Sequence, residues 1–174
     1  MPKRVLILAT DGFEQSELIE PRKALENAGI ETVVASPKSG EIKGWNHTDW
    51  GETVKVDAAL SEVSAEDFDA LMLPGGQMNP DSLRMDDEVI GLIEDFDEAE
   101  KTIAAICHGP WLLVEADIVD GRAVTGWPSI RTDLENAGAQ VFDEEVIVDG
   151  NLITSRKPSD IPAFSQALID ALED

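Results

Sequence analysis

Four apolar runs of strand length constrain this chain more than any other feature: Val5–Ala9, Thr32–Ser36, Phe68–Leu73 and Thr102–Ile106. They show almost no polar alternation, so each must be covered on both faces, as in a parallel sheet held between helices. Helical patterns separate them. One runs from about Glu14 to Ala28, with Leu18, Ile19, Leu25 and Ala28 on one side and Gly29 as its stop. Others cover Asp86 to Ala99, Trp111 to Glu115, Ile130 to Ala137 and Pro158 to Leu172. Strand, helix and strand joined by short links predict right-handed crossovers. Gly40 to Leu60 reads instead as a Gly-punctuated β-hairpin closing with Thr53–Val56. Ala123–Thr125 reads as a further strand, and Glu145–Val148 and Leu152–Ser155 pair across an Asp149-Gly150 turn. There are no repeats and no linker, so residues 1–174 form one domain. The expectation is a doubly wound α/β fold with ligands at the carboxyl ends of its strands.

Charge limits the partners. The chain has 36 acidic and 13 basic side chains, a net charge of −23, yet is 43% apolar, which is too apolar for a disordered chain. So few bases in that field cannot build a nucleic-acid-binding face. The opening apolar run ends at Asp11, too soon for a signal peptide, and no stretch approaches the roughly 20 apolar residues of a membrane span. A single Cys fits a reducing compartment. A cytoplasmic protein is expected, with neither nucleic acid nor membrane as partner. The acids, Glu14, Glu17, Glu20 and Asp86 among them, are dispersed and read as a solvated surface of haloarchaeal type, adapted to high salt.

Three loops fall at the carboxyl ends: Asp11 to Glu14, Gly75 to Asp81, and Cys107 to Pro110. A buried strand running through Cys107 straight into a helix has the pattern of a nucleophile elbow. The helix N-terminus would lower the thiol pKa from about 8.5. The same position also suits a small buried side chain, the usual state of a free Cys. Gly109 allows close backbone approach, and Pro110 needs no N–H in a first turn. No His follows His108, which excludes a glutamine-amidotransferase triad and a Ser-Asp-His hydrolase. His47 reads as a surface residue of the hairpin. His108 can meet Cys107 only if a strained elbow tilts the two side chains together, because neighbours at a turn usually diverge. Glu14 and Asp81 are the candidate carboxylates, and Gly75 and Gly76 the candidate oxyanion donors, joined by the His108 amide of the elbow. One Cys and two distant His give no metal-ligand spacing, and neither GxxxxGK[ST] nor GxGxxG occurs, so neither metal nor cofactor is expected.

Several segments carry a resemblance: Leu8-Ala9-Thr10-Asp11-Gly12-Phe13-Glu14, Glu17-Leu18, Leu73-Pro74-Gly75-Gly76, Ala105-Ile106-Cys107-His108-Gly109-Pro110 and Thr154-Ser155-Arg156-Lys157-Pro158. In this order, over essentially the whole chain, they resemble the PfpI family of the ThiJ/PfpI superfamily. The resemblance implies a flavodoxin-like three-layer sandwich with a mostly parallel sheet. It implies a nucleophilic Cys107, a protonated Glu14 against the thiol, and His108 as base. It also implies a third acid, matched by Asp81, reaching the site from a neighbouring subunit of a homodimer or hexamer. Two departures stand out: the similar archaeal proteases carry Glu where Asp81 stands, and some members carry Tyr in place of the pocket residue Trp127. The leading expectation is a cysteine peptidase. The alternatives are a cofactor-independent glyoxalase or deglycase acting on a small aldehyde or its adducts, and a redox-sensing stress protein or chaperone.

Overall fold

The computed structural model describes residues 1–174. Its elements in chain order are β1 (Arg4–Leu8), α1 (Gln15–Asn27), β2 (Glu31–Ser36), β3 (Glu41–Asn46), β4 (Asp49–Lys55), β5 (Ala58–Ala59), β6 (Ala70–Leu73), α2 (Met78–Leu83) and α3 (Asp87–Glu98). There follow β7 (Thr102–Ile106), α4 (Trp111–Glu115), β8 (Ala123–Val124), α5 (Arg131–Asn136), β9 (Gln140–Val141), β10 (Ile147–Asp149), β11 (Leu152–Ser155) and α6 (Ile161–Glu173).

The main sheet has the order β10-β11-β7-β6-β1-β2-β5, and every neighbouring pair is parallel except β10 with β11. The apolar runs are buried on both faces, as their sequence requires. Along β1, Val5 and Ile7 enter one core with Leu18, Leu25, Phe164 and Leu168 of α1 and α6. Leu6 and Leu8 enter the other with Phe96, Leu112 and Leu134 of α3, α4 and α5. The two-residue alternation of side chains makes one strand serve both layers. The result is the expected flavodoxin-like α/β sandwich.

Local differences have local causes. Residues 78–81, read as part of a loop, begin α2, because Pro80 falls in its first turn, where an N–H has no intrahelical partner. Ala123–Val124 pairs with Gln140–Val141 in a separate parallel ribbon rather than joining the main sheet. The terminal hairpin turns on Gly150-Asn151, one residue later than read, with Gly150 at φ +57°. The β3–β4 hairpin lies off the sheet edge. Bonds from Gly12 N to Lys43 O (2.8 Å) and from Trp45 N to Phe13 O (2.7 Å) tie it to the loop after β1. No helix is long and apolar enough to cross a membrane.

Candidate active site

β11, β7, β6 and β1 are adjacent and parallel, so the segments leaving their carboxyl ends converge. They enclose a pocket of about 490 Å³ whose lining includes Glu14, Glu17, Gly76, Cys107, His108 and Lys157. A larger groove of about 850 Å³ lies at the other ends of the strands, among Asp97, Glu100, Arg122, Asn151 and Asp170, and is lined by neither Cys nor His.

Cys107 leaves β7 with φ +63°, a left-handed conformation costly for a residue with a Cβ. The surroundings hold it there. Its N–H donates to the Ser155 carbonyl at 3.0 Å, and its carbonyl accepts from Trp127 N at 2.8 Å. Gly109 is required behind it, because a Cβ there would lie 2.6 Å from the Leu73 carbonyl. The strain has a geometric result. His108 does not diverge from its neighbour: its Nδ1 lies 3.3 Å from Cys107 Sγ. Trp127 stacks on the His108 ring at 5.8 Å, and Trp111 meets it edge-on at 5.0 Å. Burial lowers the His108 pKa below the ordinary imidazole value, so the ring is neutral at neutral pH.

The carboxyl expected against the thiol was Glu14. Glu17 occupies that place instead. It is fully buried on the α1 face shared with Leu18, Pro21 and Leu25. Its Oε1 accepts from Gly75 N at 3.0 Å, and the side chain lies within hydrogen-bonding reach of Cys107. Oε2 has no hydrogen-bond partner, and the neighbouring Cys107 is a group able to accept from a proton on this acid. Burial, helped by the nearby charge of Glu14, pushes the Glu17 pKa up to about 8, so near neutrality it is a donor. Burial and an ionised Glu17 push the thiol pKa up, while the amides of Gly76 and His108 oppose them. A neutral Glu17 removes the charge repulsion, but burial still outweighs those donors, so the thiol pKa is raised rather than lowered by the helix N-terminus as the sequence suggests.

The remaining expected residues are placed as follows. Gly75 N–H is taken by Glu17, so the amides facing the sulfur are those of Gly76 and His108. Gly75 is needed for another reason: a Cβ there would lie 2.5 Å from Glu17 Oε1 and 2.7 Å from Cys107 Cβ. Glu14 stands half-buried in the pocket wall, and Trp127 lines the same pocket. Asp81 is exposed in the first turn of α2, outside the lining of this pocket. His47 is exposed, as the sequence suggests, and also lines the pocket with Trp45 from the hairpin. Glu17 was legible in one respect. An acid four residues before Pro21 and eight before Leu25 lies on the buried stripe of its helix. No three His, Cys, Asp or Glu side chains converge to hold a metal.

The family model described as the DJ-1/PfpI family matches residues 3–171. The chain belongs to this family. General stress protein 18 of Bacillus subtilis is 46% identical over 99% of both chains. The same organism's "Putative cysteine protease YraA" is 44% identical over 99% of this chain and all of its own. A deglycase of Thermococcus kodakarensis is 42% identical over 97% of this chain and 99% of its own. Among solved structures, the ThiJ/PfpI domain protein of Brachyspira murdochii superposes with a TM-score of 0.91 at 28% identity, over 99% of this chain and 98% of its own.

Proposed function

We propose that this chain is a cofactor-independent glyoxalase and deglycase, acting on 1,2-dicarbonyls such as methylglyoxal and on the adducts they form with amines. The observation that carries it is the buried Cys107–Glu17–His108 cluster in a chain 42% identical, over nearly its whole length, to a named deglycase. In this reading the Cys107 thiolate adds to the aldehyde carbon, a C–S bond forms, and the carbonyl oxygen takes a proton. With an amine adduct the same carbon loses its C–N bond as the C–S bond forms, and the amine leaves with a proton. The neutral His108 takes the hydrogen on that carbon as a proton, and the neighbouring carbon is reprotonated. The product is a thioester, which water cleaves to a 2-hydroxy acid and the free thiol. One carbon is oxidised as its neighbour is reduced, so methylglyoxal plus water becomes lactate with no external oxidant. The amides of Gly76 and His108 serve the developing oxyanion. Asp81 joins the site from another copy of the chain, in a homodimer or hexamer, and orients His108.

The peptidase reading draws on the YraA relative, and the sensor reading on the stress protein. One experiment separates all three. Purified wild type and Cys107→Ser are assayed for lactate formation from methylglyoxal and for cleavage of an unstructured peptide. Wild type should form lactate, the variant should lose at least about 1,000-fold, and neither should cleave peptide. Mixing Cys107→Ser with Asp81→Ala subunits should restore part of the activity if Asp81 acts between subunits. Peptide cleavage without lactate would overturn the proposal in favour of a peptidase. No activity, with selective oxidation of Cys107, would favour a sensor.

A further inference from the structure

Two peptide planes carry donors to this site, and neither is held by a side chain of its own. The Gly75 N–H donates to Glu17 Oε1 at 3.0 Å, and the Gly76 N–H faces the Cys107 sulfur and the Glu17 carboxyl. Glycine turns about both backbone angles at little steric cost. Half a turn of the Gly75–Gly76 plane would set a carbonyl oxygen against the sulfur, where a donor is needed. A group outside the two glycines must fix them.

Asn79 does so. It is fully buried in the first turn of α2, whereas Asp81, two residues on, is exposed. Its Nδ2 donates to the Pro74 carbonyl at 3.0 Å and to the Gly75 carbonyl at 3.2 Å, while its Oδ1 accepts from Thr10 N at 2.8 Å. The Thr10 donor requires oxygen on one side of this amide, and the two carbonyls require nitrogen on the other, which determines its orientation. No peptide bond in the chain is cis, so the carbonyl and the N–H of each unit point in opposite directions. The Pro74 carbonyl shares its unit with the Gly75 N–H, and the Gly75 carbonyl shares its unit with the Gly76 N–H. One side-chain amide, tied to the loop after β1, therefore holds the back of both planes whose fronts face Glu17 and Cys107. Glu14 N adds a bond to the Gly75 carbonyl at 3.2 Å. Asp in place of Asn79 would keep the acceptor and lose both donors, and Leu would keep the shape alone.

We propose that Asn79 is a positioning residue for the reaction at Cys107: by holding the Pro74 and Gly75 carbonyls, it aims the Gly75 amide at the acid and the Gly76 amide at the sulfur. The proposal rests on the reading that the Gly76 amide serves the developing oxyanion, and it adds the residue that keeps that amide in place.

The test compares wild type with Asn79→Leu, Asn79→Asp and Leu83→Ala. Leu83 is buried in the core from the same helix and makes none of these bonds, so its variant reports a loosened α2 alone. Hydrogen exchange of the Gly75 and Gly76 amides is followed by NMR against the β6 amides of the same sample, with kcat and KM for lactate formation and the melting temperature. Both Asn79 variants should speed exchange of the glycine amides at least about tenfold relative to β6, and lower kcat about 100-fold with KM changed less than about threefold. Leu83→Ala should also melt earlier, yet keep the exchange ratio and kcat within about threefold of wild type. An equal loss of kcat in Leu83→Ala, full activity in Asn79→Asp, or glycine amides that exchange as in wild type would reduce Asn79 to a stabiliser of the fold and overturn the assignment. A wild type that forms no lactate would sink the glyoxalase reading by itself. The exchange ratio needs no turnover: raised in both Asn79 variants but not in Leu83→Ala, it supports the placement of the amides by Asn79, and otherwise it removes it.

Discussion

At the scale of single residues, the decisive group is Glu17, whose chemistry follows from where it is buried. In the folded chain its carboxyl keeps a proton up to about pH 8, against 4.5 for the ordinary group. The stability it contributes is therefore fully present below pH 4.5 and is lost as the pH rises through 8. The melting temperature of wild type should fall between about pH 5 and pH 9, with a full linkage on the order of a few kcal/mol. Glu17→Gln cannot ionise and should flatten that slope, while losing about 100-fold or more in kcat/KM. Parallel melting curves against pH would show that Glu17 does not hold its proton in the native state. Cys107 and His108 obey the same logic: a left-handed φ at one residue brings the ring of the next to its sulfur.

At the scale of elements, the site is made by the ends of strands. The short run Leu73-Pro74-Gly75-Gly76 leaving β6 is packed so closely that neither glycine has room for a Cβ. Gly76 also has φ +81°, and a Cβ there would press on the Gly12 carbonyl and lie 2.6 Å from Glu14 N. Gly76→Ala should therefore cost about 1–3 kcal/mol in stability. It should also lower kcat by on the order of 100-fold, since the amide facing the thiol moves with the strained backbone. Chemical denaturation and steady-state kinetics on one preparation would check both, and unchanged kcat would exclude this amide from oxyanion binding. On the far side of the pocket, the segment after β11 is held by Asp160. This buried carboxylate accepts from Arg156 N and Nε at 2.9 Å, while Asp143 bridges Arg156 and Arg131. That clasp sets the place of Lys157, and no periodicity in the sequence announces it.

At the scale of the whole molecule, the charge of −23 bears on stability through repulsion among surface acids. Like charges so dense repel across a Debye length of about 10 Å at 0.1 M salt, shrinking to about 3 Å at 1 M. If the acidity is an adaptation to salt, melting temperature, subunit association and lactate formation should all rise from low salt to molar KCl. Sedimentation and thermal melts across that range would decide it. A native assembly fully stable near zero salt would leave the charge as ordinary surface solvation.

The α/β class, the buried strands and the elbow at Cys107 were legible along the chain, because doubly covered strands require apolar runs and a strained turn requires Gly109 and Pro110 beside it. Those are local demands, written in neighbouring residues. Which acid meets the thiol was not legible in the same way. Glu14 and Glu17 are three residues apart at the start of one helix, so only the packing of α1 against the Gly75 turn decides which one is buried. The inclusion of His47 and Trp45 likewise depends on the β3–β4 hairpin being bonded back to the loop after β1. Local sequence sets which backbone conformations are cheap. Desolvation and hydrogen-bond partners, which set what a side chain does, are properties of the assembled fold.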